Sequence, residues 1–473
     1  MKFDKDSKLK LKRKTIEISS SNIFENDKLQ RKESVNNLTE LLKNIESPVV
    51  LSVNAPWGSG KTTYLRMLHA SLELETRKPI YFSAWETDFA ADPLLAFLGE
   101  MNLNIAGFIG DDNKRSKAWE QAKKAGAHIL KRGVPIAVKL ATAGLVDADK
   151  IVEDEASKFA EALSKDIIDS YSKNKIAIVD FKENIKKVLG VEGGGIEKLY
   201  IFIDELDRCR PTYAIELLER IKHLLDIEGL VFVLALDKNQ LAHSVKAVYG
   251  SEFDAVGYLK RFIDVEFSLP VADIGPYIEF LVDQFEFGKY FDSDRGRDSN
   301  SEFNNLVTTI EVLALGQKMA LRTIEQLLSK IKLILLTVQK NHYMYPELVV
   351  FLLFVKDVYP VEYANFSKVE SSGDELIDLI HKVILGGGEA EYIKQDIHAL
   401  IIACKFGNGT KWAQEHLKEI MAVCVSETAS DTSRRDSSRT VEMVDYYTRV
   451  GRGIPFDRII ARVDMVSSFN FDR

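Results

Sequence analysis

Hydrophobic positions change period several times along the chain, and each change marks an element. Residues 8–18 (KLKLKRKTIEI) alternate polar and apolar side chains, the period-two pattern of an extended edge strand on which lysines discourage unwanted pairing. After a Ser19-Ser20-Ser21 loop, residues 29–45 carry apolar side chains at Val35, Leu38, Leu41, Leu42 and Ile45, the spacing of a helix. Residues 49–53 (VVLSV) form a short apolar run ending in a glycine-containing loop. A helix is expected over 62–75 and a strand over 79–84 (PIYFSA). Two more apolar runs, 199–203 (LYIFI) and 230–236 (LVFVLAL), flank a further helix. Runs that are apolar at every position and alternate with helices predict a parallel sheet covered on both faces.

The stretch 101–196 breaks this alternation. It is rich in Lys, Ala, Asp and Glu, has helical periodicity around 150–189, contains one proline (Pro135) and ends in Gly193-Gly194-Gly195, so it reads as a mostly helical insertion. Beyond about 270 the strand pattern stops, and helices are expected over 276–285, 302–315, 320–339, 346–356 and 374–385. Within these, residues 348–355 (LVVFLLFV) fit a buried helix or strand. Residues 426–440 (SETASDTSRRDSSRT) lack apolar periodicity and are expected to be a flexible linker.

Composition narrows the class. With 473 residues, 46% hydrophobic and 28% charged, the chain is neither collagenous, disulfide-scaffolded nor wholly disordered, and is long enough for two or three cores. The 63 basic and 71 acidic side chains give a net charge of −8, so only a local patch, not the whole surface, would suit nucleic acid. Cys209, Cys404 and Cys424 are too few and too scattered for a disulfide framework or a four-cysteine zinc site; reduced thiols and a cytoplasmic location are expected. The eight histidines show no paired metal spacing, so no zinc is assigned. No apolar h-region follows the basic residues 1–14, and no run is long enough to span a membrane. Residues 348–355 come nearest, and Lys131, Arg132, Pro135 and Lys139 interrupt the moderately apolar segment 126–146. A soluble protein without membrane contact is expected.

The sharpest chemistry lies in NAPWGSGKTTYLRML, between the strand 49–53 and the next helix. Small residues let backbone N–H groups turn inward around phosphate oxygens at the positive end of a helix. Gly58, Ser59 and Gly60 form such a loop. Lys61 would reach the β- and γ-phosphates, the Thr62 hydroxyl would bind Mg²⁺, and Thr63 continues the first helical turn. The strict motif begins with glycine where this chain has Ala55, a substitution acceptable where the turn needs no positive φ. Trp57 is expected to pack beneath the loop.

KLYIFIDELDRCRP places Asp204 and Glu205 at the tip of a buried strand, an electrostatically costly arrangement unless a cation sits there. A Mg²⁺–nucleotide supplies that charge. Asp204 would hold the metal, Glu205 would orient the attacking water as general base, and Asp207 is a second acid for either role. Pro211 suits the first turn of the following helix. Arg208 is expected to pair near Asp207, and Cys209 to be a small buried residue.

Together these segments resemble the KAP family of P-loop NTPases, relatives of the AAA+ and STAND groups. The resemblance rests on Trp57 to Lys61 (the Walker A loop), Ala84-Trp85, Asp204 to Pro211 (Walker B) and Ala235-Leu236-Asp237, and covers about residues 20–360. It implies an ATP-hydrolysing, Mg²⁺-dependent switch, and membership among bacterial proteins that restrict phage or plasmids. Family insertions sometimes carry paired transmembrane helices; the charges here argue against that version. Arg261 in YLKRFIDVEFSLP would approach a neighbouring subunit's γ-phosphate, or would pair with Asp264 or cap a helix. Arg322 in LRTIEQLLSKIKLIL would read the nucleotide from a helical lid, or be a surface charge. Asp237 would sense the γ-phosphate through water, or start a loop.

The expected architecture is α/β. A discontinuous P-loop domain (1–100 and 197–270) has a parallel sheet with helices on both faces, followed by a C-terminal α-helical lid domain (271–425). The helical insertion is 101–196, and a flexible linker and tail occupy 426–473. The expected partners are ATP and either further copies of the chain or a protein encoded nearby. Trp85 and Phe89 are expected in the core. Three other functions share the loop: a nucleotide-dependent scaffold with little turnover, a DNA-associated ATPase and a P-loop phosphotransferase. The Asp204-Glu205 pair favours attack by water over phosphotransfer, and no base-reading motif separates ATP from GTP.

Overall fold

The structure is a computed structural model. It describes residues 18, 21–75, 79–130, 175–190, 197–222, 224, 226–270, 272–291, 299–338, 343–367, 372–407, 409–450 and 456–469. Residues 8–17 of the strand expected over 8–18 and much of the insertion, including Gly193–Gly195, lie outside the described residues. The chain forms two compact units: Ile16–Asp27 with Arg31–Val271, and Lys28–Gln30 with Ala272–Arg473.

The first unit contains, in order, α1 (Lys32–Asn44), β1 (Val49–Asn54), α2 (Lys61–Glu75), β2 (Ile80–Ser83), α3 (Pro93–Ile109), α4 (Asn113–Leu130) and α5 (175–188). Then come β3 (Leu199–Asp204), α6 (Pro211–Ile221), β4 (Leu230–Leu236), α7 (Lys238–Tyr249), α8 (Ala255–Leu259) and β5 (Val265–Ser268). The five strands are parallel in the order β2-β3-β4-β1-β5.

The unbroken apolar strands are explained by two cores, one on each face. Val50, Phe82, Ile201, Ile203, Phe232 and Leu234 belong to a core shared with α3 to α8. The alternate positions, Leu51, Val53, Phe202, Val231 and Val233, belong to a second core with α1 and α2. The described helices of the segment read as an insertion, α3, α4 and α5, thus contribute to the core on one face of the sheet. Trp85 and Phe89 do not join it. They follow β2 in a loop and are 53% and 88% exposed, because the strand ends before them and carries them beyond the helices that cover it.

The second unit is helical: α9 (Gly275–Gln284), α10 (Phe287–Tyr290), α11 (Ser299–Gly316), α12 (Leu321–Thr337), α13 (Pro346–Val358), α14 (Pro360–Phe366), α15 (Asp374–Val383), α16 (Glu389–Gly407), α17 (Lys411–Cys424), α18 (Asp431–Val450) and α19 (Phe456–Ser467). The run 348–355 is helix α13, buried on every side. Burying one such Leu, Val or Phe side chain contributes about 1.5–3 kcal/mol.

Residues 426–440, expected to be a flexible linker, instead lead into α18. Ser430 Oγ accepts the Ser433 N–H at 3.1 Å to cap its start, and Gln395 Nε2 donates to Asp436 Oδ1 at 2.9 Å. The buried stripe of this helix, Thr440, Val444 and Tyr447, begins where the polar stretch ends. Among the described residues no helix is long and apolar enough to cross a membrane.

Candidate functional site

Parallel strands in register bring their carboxyl ends to one edge of the sheet. Asn54 pairs with Leu236, and Ser83 with Asp204. The loop after β1, the acids after β3 and Asp237 after β4 therefore meet at that edge, where ligands of open α/β sheets bind. Gly58 and Gly60 have φ of 77° and 84°, values that a side chain would strain. Ala55 is not among the positive-φ residues, so alanine fits where the strict motif has glycine.

Lys61 opens α2 and is buried. Its Nζ donates to Ala55 O at 2.6 Å and Pro56 O at 3.2 Å, and lies 3.9 Å from Asp207 Oδ2. Burial lowers its pKa, opposed by the fields of Asp207, Asp237 and Asp204. Thr62 and Thr63 stand in the first turn of α2, where helix N–H groups are unpaired. Ser59 Oγ is buried with no hydrogen-bond partner, a free donor inside the loop.

Asp204 is 2% exposed. Its Oδ1 accepts the Glu205 N–H at 2.8 Å and its Oδ2 the Tyr81 hydroxyl at 2.6 Å. Glu205 adopts a left-handed conformation (φ 61°), which turns the chain sharply out of β3. Its Oε2 accepts from Ser83 Oγ at 3.0 Å and its Oε1 from Arg208 at 2.6 Å. Arg208 thus pairs with Glu205 rather than Asp207, because the 3₁₀ turn Leu206–Arg208 brings it back over the strand end.

Asp207 is buried, and burial raises its pKa. Its Oδ2 accepts Trp57 Nε1–H at 2.5 Å and the Asp237 N–H at 3.1 Å. Trp57 is 49% exposed and does not pack beneath the loop; its indole N–H holds it against Asp207 instead. Asp237 caps α7, its Oδ1 accepting the N–H groups of Asn239 and Gln240. Cys209 is buried, and burial pushes its thiol up to about 12.

One expected residue does not join this cluster. Arg261 is exposed and precedes β5, whose pairing starts beside Leu51 at the end of the sheet away from the loop. Its proposed partner Asp264 accepts the Val50 N–H at 2.9 Å instead. Arg322 lies near the start of α12, in the helical unit.

One residue of the site escapes sequence reasoning. Arg31, just before α1, is buried and donates from Nη2 to Ser59 O at 2.9 Å, with Nη1 3.5 Å from Gly60 O. No spacing rule links it to a loop some thirty residues away.

A lysine among buried carboxylates, beside a helix N-terminus and a glycine loop, suits a phosphorylated ligand. The hard oxygens of Thr62 and Asp204 fit Mg²⁺ as two of its ligands. Among the described residues no group of three or more His, Cys, Asp or Glu side chains would hold a metal ion.

Comparison with known proteins finds relatives in sequence and in fold. A segment of 236 residues, 48% of this chain, is 22% identical to the Phage T7 exclusion protein of Escherichia coli (strain K12) and spans 30% of that protein's length. Two solved structures from Aeropyrum pernix align over 93% of the chain at 13% identity. They are the ORC2 protein in ADPNP–ADP complexes, with 94% of its chain covered and a TM-score of 0.31, and the ORC1 protein in complex with DNA, with 92% covered and a TM-score of 0.30. Residues 31–338 match the KAP family P-loop domain, and the chain belongs to that family.

Proposed function

We propose that this chain is a Mg²⁺-dependent ATP hydrolase whose nucleotide state switches partner engagement or assembly, in defence against phage. The observation that carries this reading is the convergence of buried Lys61, 3.9 Å from Asp207, on a sheet edge that also holds Asp204, Glu205 and Asp237. Residues 58–63 cradle the triphosphate, with Lys61 neutralising charge on the β- and γ-phosphates and Trp57 flanking the loop. Thr62 and Asp204 hold Mg²⁺, which screens phosphate charge when bound. Glu205 orients the attacking water and accepts its proton, and Asp207 fixes the loop against the acidic strand. Asp237 faces the γ-phosphate through water.

Arg261 of one copy stabilises transition-state charge in another, and Arg322 couples the helical unit to nucleotide state. The partner is a second copy or a protein encoded nearby. The similarity to a protein named for phage exclusion supports the defence role. The test is phosphate release: Lys61→Ala and Glu205→Gln each abolish it, and Glu205→Gln still retains nucleotide. Normal hydrolysis in both variants refutes the reading.

A nucleotide-dependent scaffold with little turnover is the second reading. It is favoured by Glu205, both of whose carboxylate oxygens are engaged, by Ser83 and Arg208. Slow hydrolysis with tight, nucleotide-dependent partner binding supports it.

A further inference from the structure

Peptide planes beside glycines rotate cheaply, and the loop here has two, Gly58 and Gly60, both at positive φ. A phosphate cradle needs those planes fixed, with N–H groups facing the ligand. In a trans peptide the C=O and the following N–H point in opposite directions. Whatever holds the Ser59 carbonyl therefore sets the direction of the Gly60 N–H, and whatever holds the Gly60 carbonyl sets that of the Lys61 N–H.

Arg31 touches both carbonyls. Nη2 donates to Ser59 O at 2.9 Å, and Nη1 makes a longer contact of 3.5 Å with Gly60 O, which also accepts the Tyr64 N–H at 3.0 Å. The guanidinium carbon lies 6.0 Å from the centre of the Tyr64 ring, and the Tyr64 hydroxyl donates to Ser34 O at 3.2 Å, joining α2 to α1. Arg31 is only 6% exposed. A cation that deep is costly unless its donors are used; the loop carbonyls take Nη1 and Nη2, while Nε is buried without a hydrogen-bond partner.

We infer that Arg31 is a positioning residue of the phosphate loop: by drawing the Ser59 and Gly60 carbonyls outward, it aims the Gly60 and Lys61 amides at a nucleoside triphosphate. This rests on the proposed nucleotide site. A planar fork can meet two carbonyls at once, whereas a lysine at the same position meets one.

The test is calorimetric titration of the whole chain with ATP and Mg²⁺. It reads affinity and the fraction of binding-competent molecules separately. Arg31→Met weakens ATP binding by about tenfold or more with stoichiometry unchanged, and Arg31→Lys by about threefold. A merely structural brace gives the opposite pattern: stoichiometry falls as molecules misfold, and the remainder bind as the parent does. That pattern, or Arg31→Met within about twofold of the parent, overturns the inference. If Arg31→Met yields no folded chain, Arg31→Lys decides, and parental affinity there overturns it. A parent chain that binds no ATP removes the proposed function and this inference with it, whereas a parent that binds with Arg31 variants that bind equally removes the inference alone.

Discussion

Replacing Asp207 with alanine removes the carboxylate that ties three parts of the site together. Its Oδ2 accepts the Trp57 indole N–H at 2.5 Å and the Asp237 N–H at 3.1 Å, and lies 3.9 Å from Lys61 Nζ. Two unit charges at about 4 Å attract by about 4 kcal/mol at an effective dielectric of about 20. Desolvation takes much of that back, since burial pushes the Asp207 carboxyl up and the Lys61 ammonium down from their ordinary values.

Truncating one partner, however, leaves the other's desolvation uncompensated. The expected loss is therefore about 3–5 kcal/mol, more than the net worth of the pair. Asp207→Asn keeps the shape and one acceptor oxygen but removes the same charge, so it is expected to recover only the hydrogen-bonding part of that loss, about 1–2 kcal/mol. Urea unfolding followed by tryptophan fluorescence suits the measurement, because Trp57, Trp85 and Trp119 lie in the sheet unit and only Trp412 in the helical one. Because the pair is buried, the difference between parent and variant should persist from about 0.05 to 0.5 M salt. An Asp207→Ala chain within about 1 kcal/mol of the parent refutes the argument that this carboxylate compensates a buried cation.

Two pH dependences follow from the helical unit. Burial, with His416 and His381 nearby, pushes His398 down to about 4, and its Nε2 lies 3.1 Å from that of His416. The unfolded chain binds the proton first as pH falls, so stability is lost from about pH 6.5 toward 4. His398→Gln should flatten that slope in acid unfolding curves, and an unchanged slope would count against a neutral buried imidazole. Burial likewise pushes Lys405, beside the packed rings of Phe366 and Phe456, down to about 8. The unfolded chain still holds its proton between about pH 8 and 10.5, so this lysine makes stability rise with pH across that window. Tyrosine ionisation also acts there, so the readout is the difference between parent and Lys405→Met; parallel curves would sink the assignment.

What can be read from the sequence and what cannot divides along one physical line. Periodicity and local spacing report what a residue does within its own element. The runs 199–203 and 230–236 declare strands covered on both faces, and Gly58, Ser59 and Gly60 declare a phosphate loop, whose two glycines prove to have positive φ. Hydrophobicity alone does not say whether an aromatic residue reaches a core. Trp85 and Phe89 have the side chains of core residues, yet they fall beyond the end of β2, outside the core, with Trp85 under the Arg208 guanidinium and Phe89 88% exposed. The helix over 431–450 is hidden for a related reason. Its polar first half has partners, such as Gln395 for Asp436, only once α16 is folded beside it.

The couplings that organise the site are all of this second kind. Trp57 meets Asp207, Ser83 meets Glu205, and Arg31 meets Ser59 across long stretches of chain, through single hydrogen bonds that leave no periodic trace. A motif can therefore name the groups that face a phosphate, but the groups that aim them become visible only when the sheet has brought its carboxyl edge together. That is why the loop lysine and the acidic strand end are identifiable from spacing alone, while the arginine holding the loop's peptide planes is not.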